Sequence, residues 1–193
     1  MRVYIGKYPN YNKKTKKTPE RKIRVEIHKY DAWSADHTLA LIILPVLKVL
    51  QKNKHGAPHT DDADVPVKLR STSAPKKKNE WDTDSLFFKR WDWILGEMIW
   101  AFEQIIDEDS EDKFRTGKAD IWWQALDKDY KKIGKPVPWK GKKNPILSDA
   151  VYWQIVKGPK DTYKVDQKGL DAHWARQKVG LTLFGKYYRT LWD

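Results

Sequence analysis

The feature that most constrains this chain is the segment Trp81 to Phe102, WDTDSLFFKRWDWILGEMIWAF. Phe87, Trp91, Ile94, Leu95, Met98, Phe102 and, just beyond it, Ile105 recur at steps of three and four. That is the period of one face of an α-helix, so the spacing predicts a helix from about Ser85 to Asp107. Any fold must supply an apolar partner for that face. Trp93, Glu97 and Trp100 share a neighbouring face, at steps of four and three. The first set reads most simply as core. The second places two rings around a carboxylate, an arrangement that can hold a base or a cationic group. A buried Glu97 needs a partner, and a Lys or Arg of the last helix is the candidate.

Other segments offer the partner surfaces. DAWSADHTLALIILPVLKVLQKNKHG is apolar on nearly every face and predicts a central helix. Ser34 or Asp36 would cap it, Pro45 would kink it, and Gly56 and Pro58 would end it. A last helix is expected from near Gln167 to the C-terminus, with Leu170, Trp174, Leu181, Phe184, Tyr188 and Leu191 as its apolar stripe. Gly180 and Gly185 interrupt it and imply close packing or a bend. ADIWWQALDKDYKKIG reads as a shorter helix ended by Gly134, and KPVPWKGKKNP as a basic loop.

Strands are expected at both ends. RVYI (2–5) and KIRVEIH (22–28) are β-branched, and Ile23, Val25 and Ile27 alternate with Arg24, Glu26 and His28. That alternation predicts a strand with one buried face. NYNKKTKKTPE joins the two as a flexible basic hairpin loop. AVYWQIVKGPKDTYKVD predicts two further strands joined by a Gly-Pro turn, and DEDSED an acidic turn. Residues 57–80 form a long polar linker whose basic second half, around 70–80 and through the KKK at 76–78, is expected to be mobile. The whole reads as α+β: one mostly helical domain over residues 1–193, with a small antiparallel sheet.

Composition bounds the function. The chain has 193 residues, 40% hydrophobic and 13% aromatic, enough for a packed core. Lys and Arg total 38 against 26 Asp and Glu, a net +12, which favours nucleic acid, nucleotides or an acidic protein as partner. Without cysteine there is no disulfide, zinc-thiolate cluster or thiol nucleophile. The longest apolar run, LALIILPVL, is too short for a bilayer, and MRVYIGKYPN has no signal-peptide core. The expectation is a cytoplasmic protein with no membrane partner.

Several strings point further: YDAWSADHTLALIILPVLK, KHGAP, DDADVP, WDWILGEMIWAFE and LFGKYYRTLWD. Together they resemble a recurrent group of small uncharacterised proteins encoded by large tailed bacteriophages, marine myoviruses among them. The resemblance covers roughly residues 22–107 and 170–193. It implies a protein made in the cytoplasm of an infected bacterium, of a class that acts on host defence or host metabolism. It implies no catalytic residues.

Four constellations are candidates for chemistry. DAWSADHT places Trp33, His37 and Thr38 at a helix N-terminus, where free N–H groups suit phosphate and Trp33 could stack a base. The alternative is simple capping with Trp33 in the core, and Asp36 argues against an anion there. KHGAPHTDDAD sets His55 and His59 near Asp61, Asp62 and Asp64, but not in the helical HExxH pattern, so a capped turn outweighs a metal site. The third is Trp93, Glu97 and Trp100. In the fourth, LFGKYYRTLWD, Lys186 and Arg189 alternate with aromatics, as in single-stranded nucleic-acid or nucleotide sites and equally in cations snorkelling over a core. No nucleotide-binding or hydrolase motif occurs. The ligand-binding candidates are therefore Trp33, His37, Thr38, Trp93, Glu97, Trp100, Lys186 and Arg189, with no catalytic, metal or cofactor assignment. The expected function is non-catalytic capture of a nucleotide-like anion, such as a host defence signal. Alternatives are a nucleic-acid-binding accessory protein, an inhibitor of a host protein, and an enzyme in which Asp36, His37 or Glu97 converge.

Overall fold

The computed structural model describes residues 1–138 and 150–192. The fold is α+β, with helices α1 (Ala35–Asn53), α2 (Phe87–Ile106) and α3 (Gln167–Tyr187) and small antiparallel sheets. Contacts group the chain into two compact units, Met1–Glu108 with Ala175–Asp193, and Asp109–Trp174.

In the first unit, α2 is the helix that its spacing predicts. Trp91, Ile94, Leu95 and Met98 are fully buried and pack with Ala40, Leu44 and Leu47 of α1 and Leu183 and Tyr187 of α3. Burying such side chains contributes about 1.5–3 kcal/mol each, so this face anchors the unit. Phe87, expected in the core, is only half-buried, because it sits at the first turn of α2 beside the loop before it. Pro45 lies inside α1, and the Lys54 N–H closes that helix on the Leu50 carbonyl.

In this unit the C-terminal segment keeps part of the expected stripe, with Phe184 and Leu191 packed on the core, but the fully buried positions of α3 are shifted from it. Gly180, Leu183 and Tyr187 are buried, whereas Leu181 and Tyr188 are exposed. The reason is Gly180. A Cβ there would collide with the Glu97 carbonyl and Ala101 of α2, so the helices meet at a position that carries no side chain and no hydropathy signal.

Strands β1 (Arg2–Ile5) and β2 (Ile23–Glu26) pair antiparallel as expected. Their apolar face is not buried, however, and no residue of either strand is. No described element lies over it closely enough to cover it. The loop between them carries an Asn12–Lys17 bridge, and Arg21 donates to the Gly6 carbonyl at 2.6 Å.

Residues 57–86 lead from α1 to α2 through three short 3₁₀ turns, Asp62–Asp64, Val67–Leu69 and Ser71–Ser73. Side chains pin these turns. Asp61 accepts from the Ala63 N–H at 2.9 Å, Asp62 from the Ser71 N–H at 2.8 Å, and Ser73 Oγ donates to the Val67 carbonyl at 2.6 Å.

The second unit departs from expectation in its strands. ADIWWQALDKDYKKIG is a β-hairpin, not a helix: β4 (Ile121–Leu126) pairs with β5 (Lys132–Pro138). Asp127 makes the turn, its carboxylate accepting from the Asp129 and Lys131 N–H groups at 2.8 and 2.9 Å. Tyr130 adopts a left-handed φ of 60° and stacks on Tyr152 at 4.8 Å. Lys135–Pro138 of the expected basic loop belong to β5, and residues 139–149 of that region lie outside the described residues. β6 (Tyr152–Lys157) pairs with β4 rather than with β7 (Lys164–Val165), which pairs with β3 (Arg115–Thr116). The two strands expected around the Gly-Pro turn exist but belong to different sheets.

No helix among the described residues is long and apolar enough to cross a membrane.

Candidate functional site

A cavity of about 1030 Å³ opens in the first unit. Its walls come from the loop before α2, the first turn of α2 and the end of α3. Small-molecule sites occupy roughly 300–1,000 Å³, so this one has room for a nucleotide-sized ligand.

Two ion-pair clamps build it. On one side the end of α3 grips the turn at Asp61–Asp64. Lys186 Nζ lies 2.6 Å from Asp64 and 3.2 Å from Asp61. The Tyr187 hydroxyl donates to Asp64 at 2.6 Å and accepts from the Asp61 N–H at 2.9 Å. Asp64 and then Asp61 hold the Lys186 ammonium well above the usual lysine range. Burial, reinforced by the bond to Asp64, raises the Tyr187 phenol, so it stays a protonated donor. Asp61 is held below the usual carboxylate range by the Ala63 N–H and Lys186.

On the other side Arg90, only 3% exposed, is paired with Asp84 through two bonds of 2.6 and 3.1 Å and also donates to the Leu69 carbonyl at 3.1 Å. The fork geometry suits guanidinium and carboxylate, and the Arg90 bonds hold Asp84 below the carboxylate range. Asp84 also accepts from the Leu86 N–H at 2.9 Å, so one carboxylate both starts α2 and fixes the arginine beneath the cavity. Asp62 is lowered by its bonds to Ser71.

What remains on the walls could meet a ligand. His59 and Phe87 form an aromatic corner with ring centroids 6.4 Å apart. Lys76 and Lys77 line the opposite stretch. Lys77 donates to the Glu80 carbonyl at 2.7 Å, and Lys76 has no ion-pair partner among the described residues. Thr60 also lines the cavity, and its buried hydroxyl has no hydrogen-bond partner among the described residues. A buried polar atom left this way is normally satisfied by an ordered water. Counted by formal charge, four cations (Lys76, Lys77, Arg90, Lys186) face four carboxylates (Asp61, Asp62, Asp82, Asp84).

Of the eight residues singled out in the sequence, only Lys186 lines this cavity. Trp33 is 90% exposed, so it is neither core nor part of a cavity wall. His37 and Thr38 lie half-buried in the first turn of α1, where Ser34 occupies the N-cap without a side-chain cap bond. Glu97 is neutralised by Arg176 of α3, through bonds of 2.9 and 2.8 Å. The same guanidinium lies 4.0 Å from the centre of the Trp100 ring, and Trp93 packs on the core. The face of Trp93, Glu97 and Trp100 is thus engaged by the protein's own helix. Arg189 is exposed outside the cavity. Neither Asp36 nor His37 shares a hydrogen bond or ion pair with Glu97 among the described residues, so the convergence an acid–base enzyme requires does not form there. His59 and Asp61 both line the cavity, but no group of three or more His, Asp or Glu with metal-binding geometry occurs among the described residues.

The sequence reading missed Tyr187, Arg90, Asp84 and Thr60. Only Asp84 carries a local signal, an Asp just ahead of an apolar helical repeat. Comparison with protein-family models, with curated proteins and with solved structures found no match.

Proposed function

We propose that the protein is a non-catalytic binding protein that captures a nucleotide-like anion in the cavity between the Asp61–Asp64 turn, the start of α2 and the end of α3. The observation that carries this reading is a ligand-sized cavity whose scaffold is locked by its own ion pairs, while Lys76 and the His59–Phe87 corner remain for a guest. The lysines suit phosphate and the rings suit a base. A balanced lining favours a small ligand over a polyanion, which needs an extended run of uncompensated cations. In the setting implied by the phage resemblance, the ligand is a signalling nucleotide of host defence and the place of action is the host cytoplasm.

Isothermal calorimetry with ADP, cyclic AMP and a cyclic dinucleotide tests this. At least one should bind saturably. The pair Lys76→Glu and Lys77→Glu should weaken it ten-fold or more. Absence of binding across the panel, or binding indifferent to the lysine changes, would refute the reading. A second reading, capture of a partner protein, is favoured by the exposed apolar face of the β1–β2 hairpin.

A further inference from the structure

The hairpin is amphipathic in register. Val3 stands opposite Val25 and Ile5 opposite Ile23, while Arg2 faces Glu26 and Tyr4 faces Arg24. Directly opposed residues project to the same side of a sheet, and successive residues alternate sides. One side therefore carries Val3, Ile5, Ile23 and Val25, and the other the polar set. Both sides are open to solvent, the apolar one at 36%, 50%, 64% and 54%. A two-stranded hairpin is marginal alone in water, and a contiguous aliphatic patch on a monomer marks an interaction site.

Charge identifies the occupant. Residues 1–29 hold ten lysines and arginines against two glutamates, a net +8 of the chain's +12. The patch is thus aliphatic, with a cationic loop (Lys13, Lys14, Lys16, Lys17) at its far end. A second copy would bring another +8 against the first, which like-charge repulsion disfavours. A phosphate backbone would satisfy the cations, and the exposed Tyr4, Tyr8 and Tyr11 could stack bases, but it would leave the aliphatic face of Val3, Ile5, Ile23 and Val25 in water. Both strands also keep an unpaired edge in their two-stranded sheet, where an extended segment can add.

We propose that the β1–β2 hairpin is a docking element for an acidic partner protein, which covers Val3, Ile5, Ile23 and Val25 with an apolar patch and meets the Lys13–Lys17 loop with carboxylates. This interface is separate from the cavity, and neither requires the other.

Fluorescence anisotropy tests it on the full chain with three labelled probes: a peptide of alternating Glu and Val, polyglutamate of equal charge, and a 20-nucleotide oligothymidine. The alternating peptide should bind at least ten-fold more tightly than polyglutamate. The double change Ile23→Ser and Val25→Ser should abolish that preference, whereas Tyr4→Ser, on the opposite face of the same hairpin, should leave it intact. Because all these side chains are exposed, the melting temperature should hold. Equal affinity for the two peptides, or equal loss in the Tyr4 variant, would overturn the proposal. So would oligothymidine binding more tightly than the alternating peptide, or a wild-type dimer in sedimentation that the Ile23/Val25 change dissociates.

Discussion

Asp84 shows how much one side chain can carry in this molecule. It accepts from the Leu86 N–H at the start of α2 and from both terminal nitrogens of Arg90. Removing it would leave a buried guanidinium without its counter-charge. Asp84→Ala should therefore cost about 3–5 kcal/mol in urea unfolding of the whole chain. The sign with pH follows from the carboxylates. Asp61, Asp62 and Asp84 all have folded pKa values below their usual ones, so the folded state binds fewer protons than the unfolded chain. Their stabilisation is complete above the unfolded value of about 4 and is lost as pH falls through the lowered folded values. Melting temperature should drop as the solution is acidified below about pH 4, and less steeply in Asp84→Asn, which has one fewer such group. Legibility at this scale divides by the kind of signal. Trp91 and Met98 could be read as core because their neighbours sit three and four residues away. Asp84 and Arg90 are joined through a loop geometry that no period announces.

At the scale of elements, α2 was legible and β4–β5 was not, for one physical reason. The apolar face of α2 is a local pattern that its own sequence repeats. The segment IWWQAL contains good helix formers, but its structure is decided by the Asp127 turn and by β6, which begins at Tyr152. Strand pairing with a distant partner overrides local propensity. The β1–β2 alternation was read correctly, yet its apolar face stayed uncovered, because alternation specifies a face without specifying what lies on it. The two α3 glycines show the same division. A Cβ at Gly180 would strike α2, whereas one at Gly185 would meet nothing within 4 Å. Gly185→Ala should thus stabilise by about 0.5–1 kcal/mol through the unfolded state and helix propensity. Gly180→Ala should destabilise by about 1–3 kcal/mol through overpacking, despite the same gain in propensity. Thermal unfolding of the two single variants checks the opposite signs.

Across the whole molecule, the positive charge and the cavity are separate features. Most of the net charge sits in residues 1–29, whereas the cavity lining is balanced. Composition alone could not show this division. Nor could the sequence show the cavity, because its clamps join residues far apart in the chain: Lys186 to Asp61 across 125 positions and Tyr187 to Asp64 across 123. Each segment was conspicuous alone, the KHGAPHTDDAD turn and the LFGKYYRTLWD ending, but their meeting is a property of the fold. The central claim is that a nucleotide-like anion binds at this junction, and it is tested most directly by following backbone amide chemical shifts as the best-binding nucleotide is titrated in. Saturable shifts at His59–Asp62, Lys76, Lys77 and Phe87 are expected, with the Lys13–Lys17 loop unmoved. Shifts confined to that loop, or none in the cavity at saturating nucleotide, would contradict it.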